Sequence, residues 1–131
     1  MSRADAQKPD RADTNPTGVL RLSQAGHNID WRTWFRHILL GSATWAATTD
    51  TRGNPTETAT IPMHVTVAQV PRGVVNVRVD HAPHREAGQA NVPTILHWGT
   101  TLGAILRATD YHNHTATISH MSDGTFRLDI S

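Results

Sequence analysis

The chain has no cysteine among its 131 residues. That excludes a disulfide framework, a thiolate zinc site and a cysteine nucleophile, and it fits a reducing compartment. Lysine is nearly absent too: Lys8 stands alone, so eleven of the twelve basic residues are arginine. An arginine skew of this kind suits planar recognition of phosphate or carboxylate, but codon bias of a GC-rich genome accounts for it as well. No apolar run approaches the ~20 residues that span a bilayer. The N-terminal stretch lacks the apolar segment of a signal peptide. A cytoplasmic protein with no membrane contact is expected. Charge of one sign is also missing. The net charge is +1, with 12 basic and 11 acidic side chains, and no basic cluster marks a nucleic-acid surface. Charge therefore gives nucleic acid no support, and another protein is the expected partner.

What is present suggests one domain behind a tail. Residues 1–17 are polar and broken by Pro9 and Pro16, and they bury too little apolar surface to offset the entropy of ordering, so they read as a disordered leader. Residues 18–131 read as a single α+β domain. Gly18–Gln24 alternates like a short strand. Asn28 or Asp30 can cap a helix in which Trp31, Trp34, Phe35, Ile38 and Leu39 form one apolar stripe, stopped by Gly41. Residues 44–50, 56–70 and 74–79 read as an antiparallel meander, with turns at Thr51–Pro55 and Pro71–Gly73. Ile95, Trp98, Leu102, Ile105, Leu106 and Thr109 recur at helical spacing, which predicts a helix over 93–109 despite Gly99 and Gly103. The pair Asp123-Gly124 predicts a closing hairpin between 114–120 and 125–130.

The expected order is β-α-β-β-β-α-β-β, an antiparallel sheet of about five strands with two helices on one face. Trp34, Phe35, Ile38, Val65, Val67, Val75, Val77, Trp98, Leu102, Ile105 and Leu106 supply the expected core. Core packing is also the expected fate of most of the four tryptophans, with at most one exposed as a stacking platform.

The nine histidines invite a metal reading. His112 and His114 would share one face of a strand, and His81 and His84 lie near Asp80 and Glu86. A metal site requires three or four such ligands to converge, so the reading depends on whether His81, His84, His97, His112 and His114 meet. Asp80-His81, Gly88, Asn91 and His97 follow in an order similar to that of the ββα-metal nucleases. In that family a strand-end histidine activates water and a helix residue holds the metal. The cysteine pairs and basic surroundings usual there are missing, and the spacings are compressed. No serine lies in a nucleophile elbow, no carboxylate pair stands out, and no glycine-rich loop cradles phosphate. No catalytic residue and no metal ligand can be assigned on these grounds.

The segment Ala47-Thr-Thr-Asp-Thr-Arg-Gly53-Asn-Pro55 resembles the strand-turn-strand signature of flavin-binding split barrels related to pyridoxamine phosphate oxidase. The helix before it and the strands after it follow the same order over residues 30–85. The resemblance implies a dimer holding FMN or a deazaflavin at its interface, with Arg85 placed to hold the flavin phosphate and the hydride chemistry left to the cofactor. The chain departs from that pattern at Gly88-Gln89 and in the helical spacing of 93–109. The absence of a catalytic constellation favours a small binding or regulatory module without a cofactor, acting through a protein partner. A split-barrel flavoprotein and a histidine-based metal hydrolase or nuclease stand as alternatives.

Overall fold

A computed structural model of the chain describes residues 1–8, 18–25, 28–84 and 92–131. The elements are β1 (Val19–Arg21), α1 (Trp31–Trp34) running on into a π-helical turn (Phe35–Leu39), β2 (Ala46–Thr49), β3 (Pro55–Val67), β4 (Val70–His81), β5 (Thr94–His97), α2 (Gly99–Ala108), β6 (Ala116–His120) and β7 (Phe126–Ile130). The strands form one curled seven-stranded sheet in the order β1-β5-β4-β3-β7-β6, with β2 paired to β3. The mixed α and β composition and the two helices agree with the sequence. The strand count is higher, and one pair, β3 with β7, is parallel rather than antiparallel. The length of β3 permits this. Its 13 residues offer one edge long enough for β2 opposite Pro55–Thr58 and for β7 opposite Met63–Val67.

Three local expectations are corrected. The helix expected over 93–109 is a strand and then a helix: Thr94–His97 pairs with both β4 and β1, and α2 starts at Gly99. Thr94 and Ile95 are β-branched, and the unpaired side of β4 offers them a ladder. Gly99, at φ +70, turns the chain out of the strand. The turn expected at Pro71–Gly73 lies instead at Ala68-Gln69, both with positive φ (48° and 67°), where Val67 faces Val70. The Ala68 N–H donates to the Ile130 carbonyl at 2.7 Å, so a tertiary contact from β7 holds this strained pair. Pro71-Arg-Gly73 instead forms a bulge within β4: Val65 faces Gly73 and Thr66 faces Pro71, leaving Arg72 unmatched.

The third correction is Ile38, expected in the core but 66% exposed. Asp30 caps the helix, its carboxylate accepting from the Arg32 N–H at 3.2 Å. Beyond Trp34 the bonding widens, and the Leu40 N–H reaches the Phe35 carbonyl at 2.9 Å. The extra residue in that turn rotates the buried face, so Phe35, Leu39 and Leu40 point inward and Ile38 outward. Gly41 ends the turn because a Cβ there would stand 2.3 Å from the His37 carbonyl oxygen.

The sheet's inner face alternates as the two-residue period requires. Ala59, Ile61, Met63, Val65 and Val67 of β3 meet Val77, Val79, Leu96, Leu128 and Ile130, and Trp98, Leu102 and Leu106 close over them. Trp34, Val75 and Ile105 are only half-buried.

Residues 1–8 belong to the stretch expected as a disordered leader, and they pack against this body. Asp5, Ala6 and Gln7 are buried, and the Trp98 indole N–H donates to the Asp5 carbonyl at 2.7 Å. These anchors are polar and distant in sequence, and hydropathy does not register them. Residues 9–17 lie outside the described residues. Among the described residues no helix is long and apolar enough to cross a membrane.

Candidate functional site

Among the described residues the sheet curls without closing. Its end strands β1 and β6 each pair with one strand among the described residues, and they line one cleft of about 540 Å³. Leu20–Ala25 form one wall and Thr115–Ile118 the other, with Trp34, Phe35 and Met1, Ser2 and Asp5 completing the lining.

Hydrogen-bond parity shows which backbone groups face this space. Thr115 and Ser131 exchange both of their bonds (2.8 and 2.9 Å). With Thr117 opposite Asp129 and Ser119 opposite Arg127, the odd residues of β6 are committed to β7, and the peptide groups of Ala116, Ile118 and His120 point the other way. On β1, Trp98 N–H donates to the Gly18 carbonyl (2.9 Å) and Leu22 N–H to the Thr94 carbonyl (3.1 Å). The even residues therefore serve β5, and the Arg21 peptide groups face away from it. Among the described residues, the backbone groups of Arg21, Ala116 and Ile118 have no hydrogen-bond partner.

The charge in the cleft is self-contained. The Asp5 carboxylate accepts from Arg21 Nε at 3.1 Å, and among the described residues these two are its charged side chains, with the Met1 ammonium, which donates to the His114 carbonyl, at one end. The other lining side chains are apolar, hydroxyl or amide. The cleft thus offers backbone hydrogen bonding beside apolar surface. A second, shallower hollow of about 340 Å³, lined by Thr60, His64, Val74 and Phe126 among others, holds no charge pair.

Comparison with protein-family models, with curated proteins and with solved structures finds no match.

The histidines singled out from the sequence go to separate partners. His97 Nε2 lies 2.8 Å from the Asp80 carboxylate, which also accepts from Arg78 Nε at 3.1 Å and Nη2 at 3.0 Å. Burial works to raise the Asp80 pKa, but hydrogen bonds from Arg78, Thr58 and His97 outweigh it, so the carboxyl titrates below its ordinary range. His81 Nδ1 is 2.8 Å from Thr94 Oγ1, and its ring meets His37 edge-on. His84 Nε2 pairs with Asp50 at 3.1 Å. His112 pairs with Asp110 at 2.8 Å, and His114 sits edge-on to Tyr111. Among the described residues no three histidine or carboxylate groups are placed to hold a metal. Arg85, Glu86, Gly88 and Asn91 lie outside the described residues, so the flavin-phosphate and nuclease assignments that rest on them find no geometry here.

Arg36 clamps Glu57 with two bonds (3.2 and 2.7 Å) and lies 4.4 Å over the Trp45 ring. That clamp is the chief cause holding the Glu57 pKa below its usual value. It joins the helical segment to β3 and leaves the guanidinium engaged. The turn at 50–54 is likewise satisfied locally: Asp50 accepts from the Arg52 and Asn54 N–H groups at 2.8 and 3.0 Å, and Gly53 takes φ +81.

Trp98 is buried, and Trp31, Trp34 and Trp45 pack partly against the core. Sequence reasoning identified the strand at 18–24 and the hairpin that carries β6. It missed the cleft between them, because whether an edge finds a partner is not encoded near that edge.

Proposed function

We propose that this chain is a binding module that receives a segment of another protein in the cleft between β1 and β6. One observation supports this: among the described residues, unpartnered backbone groups of Arg21 on β1 and of Ala116 and Ile118 on β6 line the same apolar-floored cleft. An unpaired edge is a template for another chain, and natural proteins cover, charge or shorten such edges. Here the β6 edge carries Ala116 and Ile118 and no charged side chain. Strand addition at such edges is a recurring mode of peptide recognition.

The test is selection of random peptides against the whole chain, followed by mapping of the enriched peptides by amide shifts. Shifts centred on Arg21–Ala25 and Ala116–Ile118 are expected. Enriched peptides that map elsewhere, or no enrichment at all, would refute the proposal.

A second reading is the split-barrel flavoprotein. It is supported by the order of α1, β2, the turn at Asp50–Asn54, β3 and β4, which follows the family's order. It requires a dimer holding FMN or a deazaflavin. A yellow protein, or quenching of tryptophan fluorescence on addition of FMN, would support it; a protein that takes up neither flavin excludes it.

A further inference from the structure

The sheet's connectivity fixes the relative direction of the two edges that face the cleft. β5 is antiparallel to β4, and β1 is antiparallel to β5, so β1 runs the way β4 runs. On the other side β3 is antiparallel to β4, β7 is parallel to β3, and β6 is antiparallel to β7. β6 therefore also runs the way β4 runs. The two edges that face the cleft point in the same direction.

One strand laid between them in the opposite sense would be antiparallel to both. Its peptide groups would alternate between the two edges, meeting Arg21 on one side and Ala116 and Ile118 on the other at the two-residue period of a strand. No other common ligand presents donors and acceptors at that repeat. The charge in the cleft narrows the occupant further. Among the described residues Asp5 and Arg21 neutralise one another at 3.1 Å and the Met1 ammonium donates to the His114 carbonyl, so a charged side chain would have to displace one of these contacts to find a counter-ion. Toward the interior the occupant would meet Leu20, Leu22, Phe35 and Ile118, which suits small or β-branched apolar residues at alternate positions.

We infer that the cleft takes one extended, uncharged segment of another protein, inserted antiparallel to both β1 and β6. This deepens the peptide-binding proposal and rests on it. The segment enters beside Ala25 and Ile118 and ends beside Leu20 and Thr115, where Met1, Ser2 and Asp5 close the space. It bridges β1 and β6 and so covers both edges of the cleft at once.

The probe is a pool of short, end-blocked peptides of alternating threonine and valine, added at millimolar concentration to the isotopically labelled full chain. Three peptide forms are compared: unmodified, N-methylated at odd positions, and N-methylated at even positions. A strand bonded on both sides loses at least about tenfold in affinity with either methylation pattern, because each removes the donors facing one edge. A spin label at the peptide N-terminus should broaden Ala25 and Ile118, and one at the C-terminus should broaden Leu20 and Thr115. Four results would overturn the inference: tolerance of either methylation pattern, a reversed label pattern, no shift at millimolar peptide, or concentration-dependent shifts of the same amides without peptide, which would make a second copy of the chain the occupant. Randomly selected peptides that map to the cleft but are charged or helical would sink this inference while leaving the binding module intact. Peptides that map elsewhere would sink both.

Discussion

The two sides of the sheet handle their polar groups in opposite ways. Around β3, β4 and β5 every strand has neighbours on both sides, and even the polar outer face is internally paired, with Asp80 accepting from Arg78 and His97. Around β1 and β6 the ladders stop, and backbone groups of Arg21, Ala116 and Ile118 are left facing a cleft. Side chains there contribute one self-neutralised pair and otherwise apolar or neutral surface. The difference teaches that the histidines and carboxylates that draw the eye in the sequence are spent on internal pairs: His97 and His81 join β4 to β5, while His84 and His112 pair with Asp50 and Asp110 outside the strands. The proposed peptide site lies on the side where chemistry-bearing residues are few.

Proline substitution separates the two kinds of β6 residue and should give the largest effect. Thr117→Pro removes an N–H committed to β7 and should cost about 3 kcal/mol or more. Ala116→Pro removes one facing the cleft and should change stability by only a few tenths, because edge strands tolerate proline where the N–H faces outward. Urea denaturation measures both. Equal losses would show that the two faces of β6 are not distinct. Ala116→Pro should also abolish peptide binding.

On the closed side, Asp80→Asn should cost about 2 kcal/mol, the size of a lost charged hydrogen-bond set. The sign with pH follows from the depressed pKa of both Asp80 and Glu57. Their stabilisation is complete above the unfolded carboxylate range, about pH 4, and is lost as the pH falls through the lower folded values. Acid unfolding followed by circular dichroism should therefore be less steep in Asp80→Asn than in the parent. An unchanged acid limb would remove Asp80 from the account.

A smaller, stabilising change is expected at the hairpin between β3 and β4. Ala68 and Gln69 both hold positive φ, which Asn-Gly accepts readily. Replacing the pair should raise stability by about 1 kcal/mol. A thermal midpoint that falls would mean that the side chains there do something other than turn the chain.

The smallest perturbation is hydrogen exchange, which changes no residue. Amides of Thr117 and Ser119 should be protected and those of Ala116 and Ile118 should exchange quickly, an alternation along one strand. Saturating peptide should slow the second pair. Uniform protection in the unliganded chain would mean that the cleft is already filled.

The hairpin at Asp123-Gly124 was legible in the sequence because its chemistry is local: Asp123 accepts from the Thr125 N–H at 3.0 Å, and Gly124 takes φ +89. The helix start at Asp30 was legible for the same reason. The strand at Thr94–His97 was not. Its residues fit a helical stripe as well as a strand, and the choice fell to the edge that β4 offered. Nor was the exposure of Ile38, because a π-turn changes the periodicity on which the stripe was counted. Of the candidate site, β1 and β6 could be located as strands, while the distribution of the histidines among separate carboxylates and hydroxyls could not.

By itself the sequence determined the elements whose signals lie within a few residues: caps, glycine turns, alternation on β3 and β7, and the absence of thiol chemistry. The tertiary structure decided which edges met and which did not, and which way the two open ones point. Pairing is a contest among distant segments for the same backbone groups, and its outcome depends on strand length and chain crossing, which no local window contains.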